Sequence, residues 1–318
     1  MEDIQDNSCT NEKGMFGNSY RLLMSFTYSA LALVTTVLNV LILISIWKTP
    51  SLHKPSYILI GSLAFSDLLV GALGEPLMVF QNIAILKGWS LNIYCLLFKC
   101  VRGVGYTMGA VSLLTLTFIS LDRLLAVKLR NRYQSVVTKK RVLYTTLVCW
   151  MISCVVSAIL FGIVNVDDAN YLPLVLFAGI GALCSVLTIT TCYSMAFYSL
   201  RKITSSLVFP SVQNAEVVAR PSSNIDVVKY RKSFITMFVV FIFTILFYLP
   251  LACTLIGFSI ASYHKVSKTS LDIISISIDS AELIAQLNSV VNPLLYLWRL
   301  RDIRETVKTK VKTLFKIF

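Results

Sequence analysis

The stretch Asn288-Ser289-Val290-Val291-Asn292-Pro293-Leu294-Leu295-Tyr296 ends a long apolar run that begins near Ser270. A proline inside a helix removes a backbone hydrogen bond, which usually ends a helix in a soluble protein. Within a bilayer, the freed carbonyl can be satisfied by a side chain, a water molecule or a neighbouring helix. Asn288, Ser289 and Asn292 supply such groups, although alone they also fit ordinary packing between membrane helices. The stretch predicts a kinked membrane helix with a wet, polar inner face.

The composition of the whole chain supports a membrane protein. Of its 318 residues, 56% are hydrophobic and 14% are charged, and the mean hydropathy is +0.74. Soluble domains carry about 25% charged residues. Runs of about 20 apolar residues can cross a bilayer as helices, and these runs are too long for membrane β-strands. Seven such runs cover about 22–47, 56–82, 96–127, 142–164, 172–200, 232–260 and 270–297.

These runs predict an all-α fold, a seven-transmembrane helix bundle followed by a cytoplasmic amphipathic surface helix. The expected organisation is an extracellular tail over residues 1–21, the seven-helix domain over 22–298, and the surface helix and tail over 299–318. In that last segment, Trp298, Leu300, Ile303, Val307, Val311 and Leu314 recur at helical spacing between lysines and arginines. Such a helix is expected to lie on the anionic lipids of the inner leaflet.

The net charge of +13 lies mainly in the connections after spans one, three and five and in the tail after span seven. The positive-inside rule therefore places the N-terminus outside the cell and the C-terminus in the cytoplasm. Because the charge flanks membrane spans, it does not indicate a nucleic-acid partner. Three cysteines can meet on the outer side, Cys9, Cys95 and Cys100, and whether any pair forms a disulfide stays open.

Several residues inside the spans are unusual for membrane sequence. Asp67 lies in the middle of span two, where a carboxylate costs about 2.5–3.5 kcal/mol on insertion scales and needs a partner, a cavity or an ion. Asp122 and Arg123 close the inner end of span three, although an adjacent acid and base there also fit a plain interfacial pair. Gly105 and Gly109 form a small-xxx-small pattern that predicts close helix packing. Pro76 predicts a kink in span two.

Three motifs in this order resemble those of the rhodopsin-like (class A) G-protein-coupled receptors, and the resemblance covers nearly the whole chain. They are Leu63-Ala64-x-x-Asp67, Asp122-Arg123 and Asn292-Pro293-x-x-Tyr296. The resemblance implies a plasma-membrane receptor that binds an extracellular ligand and activates a heterotrimeric G protein when the sixth helix moves outward. It does not imply an enzyme. His53 and His264 are too far apart for a metal motif, and no residue order suggests a hydrolase.

The resemblance also implies residue roles. An allosteric sodium ion would be bound by Asp67, Ser112, Asn288, Ser289 and Asn292, and one carboxylate with neutral oxygens suits a small hard cation. Activation and G-protein coupling would involve Asp122, Arg123, Tyr193 and Tyr296. The switch in span six would consist of the aromatic residues Phe247 and Tyr248 together with Pro250. No other cofactor is expected.

The chain departs from the family pattern at several positions. Leu124 stands where a tyrosine usually follows Asp-Arg, and Tyr248 replaces the usual tryptophan. The inner end of span six has no acid, so an ionic latch from Arg123 to that helix is not expected. Span five lacks the usual proline, and the second outer loop is short and has no cysteine. These features are loosely similar to the melanocortin, cannabinoid and lysophospholipid receptors.

The ligand stays open among a lipid, a peptide and a small molecule. Gly105 and Tyr106 stand where amine receptors carry an acidic anchor, and Gln286 stands where a visual pigment carries its retinal lysine, so both of those ligand classes are disfavoured. The candidate ligand contacts are Arg102, Tyr106, Glu282, Asp279 and Glu75. Arg102 either binds an anionic head group or merely extends to the interface.

Two other classes compete with a receptor. A transporter or channel would use Asp67 and Arg123 as pathway charges, and an orphan scaffold would have no nucleotide-exchange activity. Nucleotide exchange that depends on Arg123 would favour the receptor, whereas solute flux without exchange would favour the transporter or channel.

Overall fold

A computed structural model describes residues 17–159, 171–208, 223–264 and 266–315. These residues form helices and short connections, without a strand. One-turn helices lie at Pro50–Leu52, Arg130–Arg132 and Tyr133–Val136. The long helices are α1 (Asn18–Lys48), α2 (Pro55–Leu86), α3 (Leu91–Leu129), α4 (Lys139–Ala158), α5 (Tyr171–Val208), α6 (Ser223–Tyr263), α7 (Lys268–Arg299) and α8 (Arg301–Phe315).

The all-α membrane bundle predicted from the sequence is confirmed. Within the described residues, six helices, α1 to α6, are long and apolar enough to cross a membrane. The seventh predicted run forms α7, a helix of 32 residues that falls outside this group. Its acids Asp279 and Glu282 and its many hydroxyl residues lower its hydropathy. α7 contributes several of these polar side chains to the candidate functional site.

The helices pack as a bundle around a shared core. α1 contacts α2 and α7, α3 contacts α2, α4 and α5, and α6 lies between α5 and α7. Leu63, Leu116 and Ile189 are almost fully buried at the centre. Large apolar side chains such as Phe26 and Trp47 are exposed on the outside. An apolar exterior is expected of a bundle whose solvent is lipid.

The helix bounds differ from the expected spans mainly at the ends. The first helix begins at Asn18, so Arg21 belongs to α1 and is buried, whereas the sequence placed it in the tail. α5 continues to Val208 and α6 begins at Ser223, so both extend beyond the predicted membrane runs. The predicted end of span four, near 164, lies outside the described residues. Helices can extend beyond the bilayer because their backbone hydrogen bonds are internal.

Pro76 is accommodated by a wide turn rather than a simple kink. Residues Val70–Gly74 form a π-helical turn immediately before it. The proline ring cannot donate a hydrogen bond and would clash with the carbonyl four residues earlier, and π-bulges are a known way to absorb such a disturbance. At this turn α2 lies against α1, since a Cβ on Gly71 would be 2.8 Å from Thr36 Oγ1.

The prediction that Gly105 and Gly109 pack closely against another helix is wrong. A Cβ built on either glycine meets no atom within 4 Å. Both glycines line a cavity instead. The pattern was misread because small residues admit either a neighbouring backbone or an open volume, and their spacing is the same in both cases.

The helix α8 packs against the bundle. Ile303 is fully buried and Val307 nearly so, and both belong to the main hydrophobic core together with Leu52. Tyr57 of α2 also donates a hydrogen bond to Asp302, at 3.4 Å. The sequence predicted the apolar face of α8 but not this protein contact. The contact with lipid stays a prediction.

Candidate functional site

Asp67 connects α2 to α7 deep inside the bundle. Its side chain has no exposed area. One carboxylate oxygen accepts a hydrogen bond from Ser289 Oγ at 2.8 Å, and the other accepts one from Asn292 Nδ2 at 2.9 Å. A buried carboxylate is tolerated when such donors replace its water. The two bonds place the motifs of spans two and seven in one polar site.

The proline of α7 explains the position of Asn39. Pro293 cannot donate to the carbonyl of Ser289, four residues earlier. Asn39 Nδ2 donates to that carbonyl at 3.0 Å and to the carbonyl of Thr35 at 2.9 Å. The sequence analysis named Asn288, Ser289 and Asn292 as the groups available to this carbonyl, whereas Asn39 of α1 is the side chain that donates to it. This bond joins α1 to the same polar site.

Ser112 and Asn288, also predicted to bind sodium, contact Tyr248. The hydroxyl of Tyr248 donates to Ser112 Oγ at 3.0 Å, and Asn288 Nδ2 donates to that hydroxyl at 3.4 Å. Thus α6 is tied to α3 and α7 one layer outward from Asp67. The described residues contain no group of three or more His, Cys, Asp or Glu side chains that could hold a metal. A sodium site formed by one carboxylate and hydroxyl oxygens does not need three such side chains.

The predicted switch residues lie together on α6. Phe247 and Tyr248 are buried in the main core, where Phe247 stacks on Phe243 with ring centroids 5.6 Å apart. Pro250 lies inside the helix. Because Pro250 cannot donate to the carbonyl of Leu246, the helix is weakened just below these rings. The segment can bend there without losing another hydrogen bond.

One end of α3 is predicted from the charge distribution to be cytoplasmic and is called the inner end here, the opposite end of the bundle being the outer end. At this inner end, two residues that were not predicted hold Asp122. The hydroxyl of Tyr133 donates to Asp122 at 2.5 Å, and Ser56 Oγ donates to the other carboxylate oxygen at 2.9 Å. Arg123 lies 3.1 Å from Asp122. We call Ser56, Asp122, Arg123 and Tyr133 the inner clasp. Burial, and then the bond to Asp122, raises the pKa of Tyr133 to about 12.

Tyr193 and Tyr296, predicted to act with Arg123, are buried in the main core. Tyr193 of α5 packs against Phe241 of α6, with ring centroids 5.8 Å apart. Asp122 is almost fully buried, whereas the Arg123 side chain is 29% exposed. The expected absence of a latch between Arg123 and residues 229–232 is not tested, because those side chains lie outside the described part of the chain.

Four of the five predicted ligand contacts form one cluster at the outer end of the bundle. Arg102 of α3 pairs with Asp279 at 3.3 Å and with Glu282, both on α7. Tyr106 donates its hydroxyl hydrogen to Glu282 at 3.0 Å. We call Arg102, Tyr106, Asp279 and Glu282 the outer cluster. Its Arg102 and Glu282 side chains are only 12% and 10% exposed, so these charges are largely removed from water.

Glu75, the fifth predicted contact, lies elsewhere. It is fully buried, and its carboxylate accepts a hydrogen bond from Thr35 Oγ1 of α1 at 3.3 Å. The grouping of Glu75 with the outer cluster is therefore not reproduced. The π-turn before Pro76 changes the direction of the residues that follow it, which a regular helical wheel does not anticipate.

A cavity of about 280 Å³ lies between the outer cluster and the Tyr248 layer. Its wall is mainly apolar, with Arg102, Tyr106 and Glu282 at one end and Ser112, Tyr248 and Ser289 at the other. A mostly apolar cavity with few polar groups is typical of a small-molecule site. The cavity therefore lies between the outer cluster and the hydrogen bonds around Tyr248, and α3 and α7 contribute residues to both.

Whether Cys9, Cys95 or Cys100 form a disulfide stays open. Cys95 and Cys100 are free thiols, Cys95 being partly buried and Cys100 exposed. Cys9 lies outside the described residues. The outer cluster, rather than a known disulfide, is therefore the cross-link between helices that the structure describes at this end.

Comparisons with known proteins agree with this arrangement. The chain is 32% identical to the human 5-hydroxytryptamine receptor 1E over 154 residues, which cover 47% of this chain and 41% of that receptor. It is also 32% identical to the adenosine receptor A3 of Bos taurus over 140 residues, or 42% of each chain. The chain thus spans about two-fifths of the length of these curated relatives. The narrower similarity to melanocortin, cannabinoid and lysophospholipid receptors stays a prediction.

A family model gives the broader match. The model described as 7 transmembrane receptor (rhodopsin family) matches residues 38–296, which include Asp67, the inner clasp, the outer cluster and Tyr296. Because this match covers most of the 318 residues, the chain belongs to the rhodopsin family of seven-transmembrane receptors.

Proposed function

We propose that this protein is a receptor that binds a ligand in the central cavity and activates a heterotrimeric G protein by outward movement of α6. The N-terminus would be extracellular and the C-terminus cytoplasmic, in the plasma membrane. The distribution of positive charge supports that orientation. The family match supports a G-protein partner and an extracellular ligand.

The observation that carries the proposal is a polar connection from the cavity towards the inner end. Tyr248 of α6 lines the cavity and bonds Ser112 of α3. Ser289, which also lines the cavity, bonds Asp67 one layer further in. A ligand that displaces Tyr248 would therefore change the contacts of α6 with α3 and α7 together. Differential contacts of this kind are what allow a ligand to shift a conformational equilibrium.

We further propose that Asp67 helps to hold an allosteric sodium ion. The oxygen ligands that these residues offer suit a sodium ion. The Asp67 carboxylate lies beside the hydroxyl of Ser289. Asn39, which donates to the carbonyl of Ser289, has a buried Oδ1 without a described partner. Hard cations prefer oxygen donors of this kind. A bound ion would supply positive charge against Asp67, while Ser289 and Asn292 orient the carboxylate.

The test is nucleotide exchange on purified G proteins by the protein in lipid nanodiscs. We expect exchange above the rate of empty nanodiscs, because receptors of this family act on the nucleotide-bound G protein. Arg123→Ala should lower the exchange by at least about fivefold, in the range of typical coupling free energies. Arg301→Ala, which removes an exposed arginine of α8, is the matched control and should leave it unchanged.

A transporter or channel would give a different result. Proteoliposomes that release or accumulate a solute, without nucleotide exchange on any G protein of a full panel, would contradict the receptor proposal. Equal exchange by the Arg123→Ala and wild-type proteins would contradict the role of the inner clasp.

A further inference from the structure

One wall of the cavity lies between two helices that have few or no contacts with each other in the described residues. In the described residues, α4 packs on α2 and α3, whereas α5 packs on α3 and α6. Ile152 of α4 and Phe177 of α5 both line the cavity. These side chains are 53% and 66% exposed although they line the cavity. The exposed lining side chains on both helices indicate that the cavity opens sideways between α4 and α5, towards the bilayer.

Glycines keep this opening wide. A Cβ on Gly105 or Gly109 of α3, or on Gly181 of α5, meets no atom within 4 Å, and all three glycines line the cavity. Gly179, two residues earlier on α5, shows the contrast, because its Cβ would lie 2.9 Å from Ile256 of α6. One side of α5 is therefore tightly packed on α6, whereas Gly181 borders open volume.

The charges at the cavity do not favour a charged ligand. Arg102 and Glu282 are the charged side chains among its described lining residues, and they are paired with each other in the outer cluster. Asp279, the second acid on Arg102, also interacts electrostatically with Arg21 of α1, so two acids face two arginines. A cationic or anionic head group would have to break this buried pair and leave one partner uncompensated, which is strongly unfavourable. An uncharged ligand leaves the pair intact.

Two buried polar atoms at the cavity have no hydrogen-bond partner in the described chain. They are Ser153 Oγ of α4 and Gln286 Oε1 of α7. Ser153 is only 3% exposed. A buried polar group without a partner is costly. A ligand hydroxyl or amide group would supply the missing bond, and Ser153 lies on the helix that borders the opening.

We propose that the cavity takes an uncharged, mostly apolar molecule with a hydroxyl or amide group, which comes from the bilayer through the gap between α4 and α5. The proposal rests on the proposed function for the claim that occupancy is a signal, but binding itself can be measured without any G protein. The part of the occupant inside the bundle is small, because a cavity of about 280 Å³ lies at the lower end of ligand cavities.

The experiment is photolabelling of the full chain in phosphatidylcholine nanodiscs. The probe is a monoacylglycerol whose acyl chain carries a diazirine and an alkyne. Two comparison probes have the same chain with a phosphate or a primary amine as the head group. We expect the neutral probe to label cavity residues of α3, α4 and α5 at least about tenfold more than either charged probe, because only the charged heads must break the ion pair.

Gly181→Leu should reduce this labelling, since the new side chain occupies the gap. The matched control is Gly257→Leu on α6, where a Cβ also meets no atom within 4 Å but which does not line the cavity. Ser153→Ala should reduce labelling by the neutral probe by about two- to tenfold, as expected for one hydrogen bond. The thermal unfolding midpoint of each variant shows that it is folded.

Equal labelling by neutral and charged probes, or equal labelling of the two glycine variants, would overturn the proposal. If Gly181→Leu does not fold, competition in the wild-type protein decides: excess unmodified monoacylglycerol must abolish the labelling, and failure to compete overturns the proposal. Nucleotide exchange is measured in parallel. Specific labelling without exchange contradicts only the proposed function, whereas exchange without specific labelling contradicts only this inference.

Discussion

The two ends of α3 hold their arginines in different ways. Arg102, in the outer cluster, pairs with two acids of α7 that lie 177 and 180 residues further along the chain. Arg123, in the inner clasp, pairs with Asp122, the residue that precedes it. The outer pairs join two membrane helices. The inner pair joins a helix to itself, and its further bonds reach the following loop and α2.

This difference indicates which end of the bundle can open. Separating α3 from α7 at the outer end requires a buried ion pair to break, and that is costly. In the described residues at the inner end, Asp122 joins α3 to Ser56 and Tyr133, and none of these partners lies on α6. α6 is therefore not tied directly to the inner clasp, and the clasp would restrain activation through its hold on Arg123. The outer end would serve as the fixed end of the motion.

The largest expected effect is that of Arg102→Ala. This change leaves Asp279 and Glu282 buried near each other without a guanidinium, and removing one partner of a buried pair costs about 3–5 kcal/mol. Thermal unfolding in detergent should show a strongly lowered midpoint. Lys308→Ala is the control, because Lys308 and Glu305 are exposed and 3.8 Å apart, and it should have little effect. Equal midpoints for the two variants would show that the outer cluster is not a cross-link.

The next effect is that of Asp122→Asn on basal nucleotide exchange. The change removes the charge that holds Tyr133, Ser56 and Arg123. Hydrogen bonds to charged groups contribute about 1.5–3 kcal/mol, so we expect basal exchange to rise about tenfold. The exposed carboxylate of Asp302 allows a matched Asp302→Asn control that should not alter the rate. A lower basal rate in Asp122→Asn would contradict a restraining role for the clasp.

A titration probes the same clasp with a smaller effect. The raised pKa of Tyr133, about 12 against an ordinary value of 10.0, means that the fold favours the neutral phenol. Its contribution to stability is therefore complete below pH 10 and is lost as the pH rises through 12. The absorbance difference between the wild type and Tyr133→Phe should show no phenolate at pH 10. A half-developed phenolate signal at that pH would mean that Tyr133 is not bonded to Asp122.

The smallest effect is expected for Ser56→Ala. Ser56 contributes one donor to Asp122, at 2.9 Å, while Tyr133 and Arg123 keep their contacts with the same carboxylate. The loss should be about 0.5–1.5 kcal/mol, seen as a small rise in basal exchange. Basal exchange as high as that of Asp122→Asn would mean that Ser56, and not the carboxylate charge, determines the strength of the clasp.

The sequence predicted the membrane spans. It also predicted the individual polar residues inside them, because ionisable and polar side chains are costly in a bilayer. A carboxylate such as Asp67 is costly in lipid, so its need for partners follows from hydropathy alone. The proline rule also identifies the carbonyl of Ser289 as the one that lacks a donor, although its partner Asn39 was not predicted. These features depend on one helix at a time, or on a carbonyl at a fixed offset from a proline.

The partners across helices could not be predicted in the same way. Tyr133 and Ser56 reach Asp122 only because a loop turn and the start of α2 lie beside α3, and no periodic pattern encodes that proximity. Gly105 and Gly109 were assigned to packing, although they border a cavity, since spacing does not distinguish a neighbouring helix from open volume. Glu75 was misplaced because the π-turn shifts the faces of α2 after Val70. Each miss depends on tertiary geometry.

The most direct test of the central claim is a pair of spin-label distances measured with and without nucleotide-free G protein. Labels at cysteines introduced at Lys128 of α3 and Lys229 of α6 report the inner end, and labels at the exposed positions Ile93 of α3 and Ile273 of α7 report the outer end. We predict that the inner distance lengthens when the G protein binds, while the outer distance stays the same. An unchanged inner distance in a sample that binds the G protein would contradict the account.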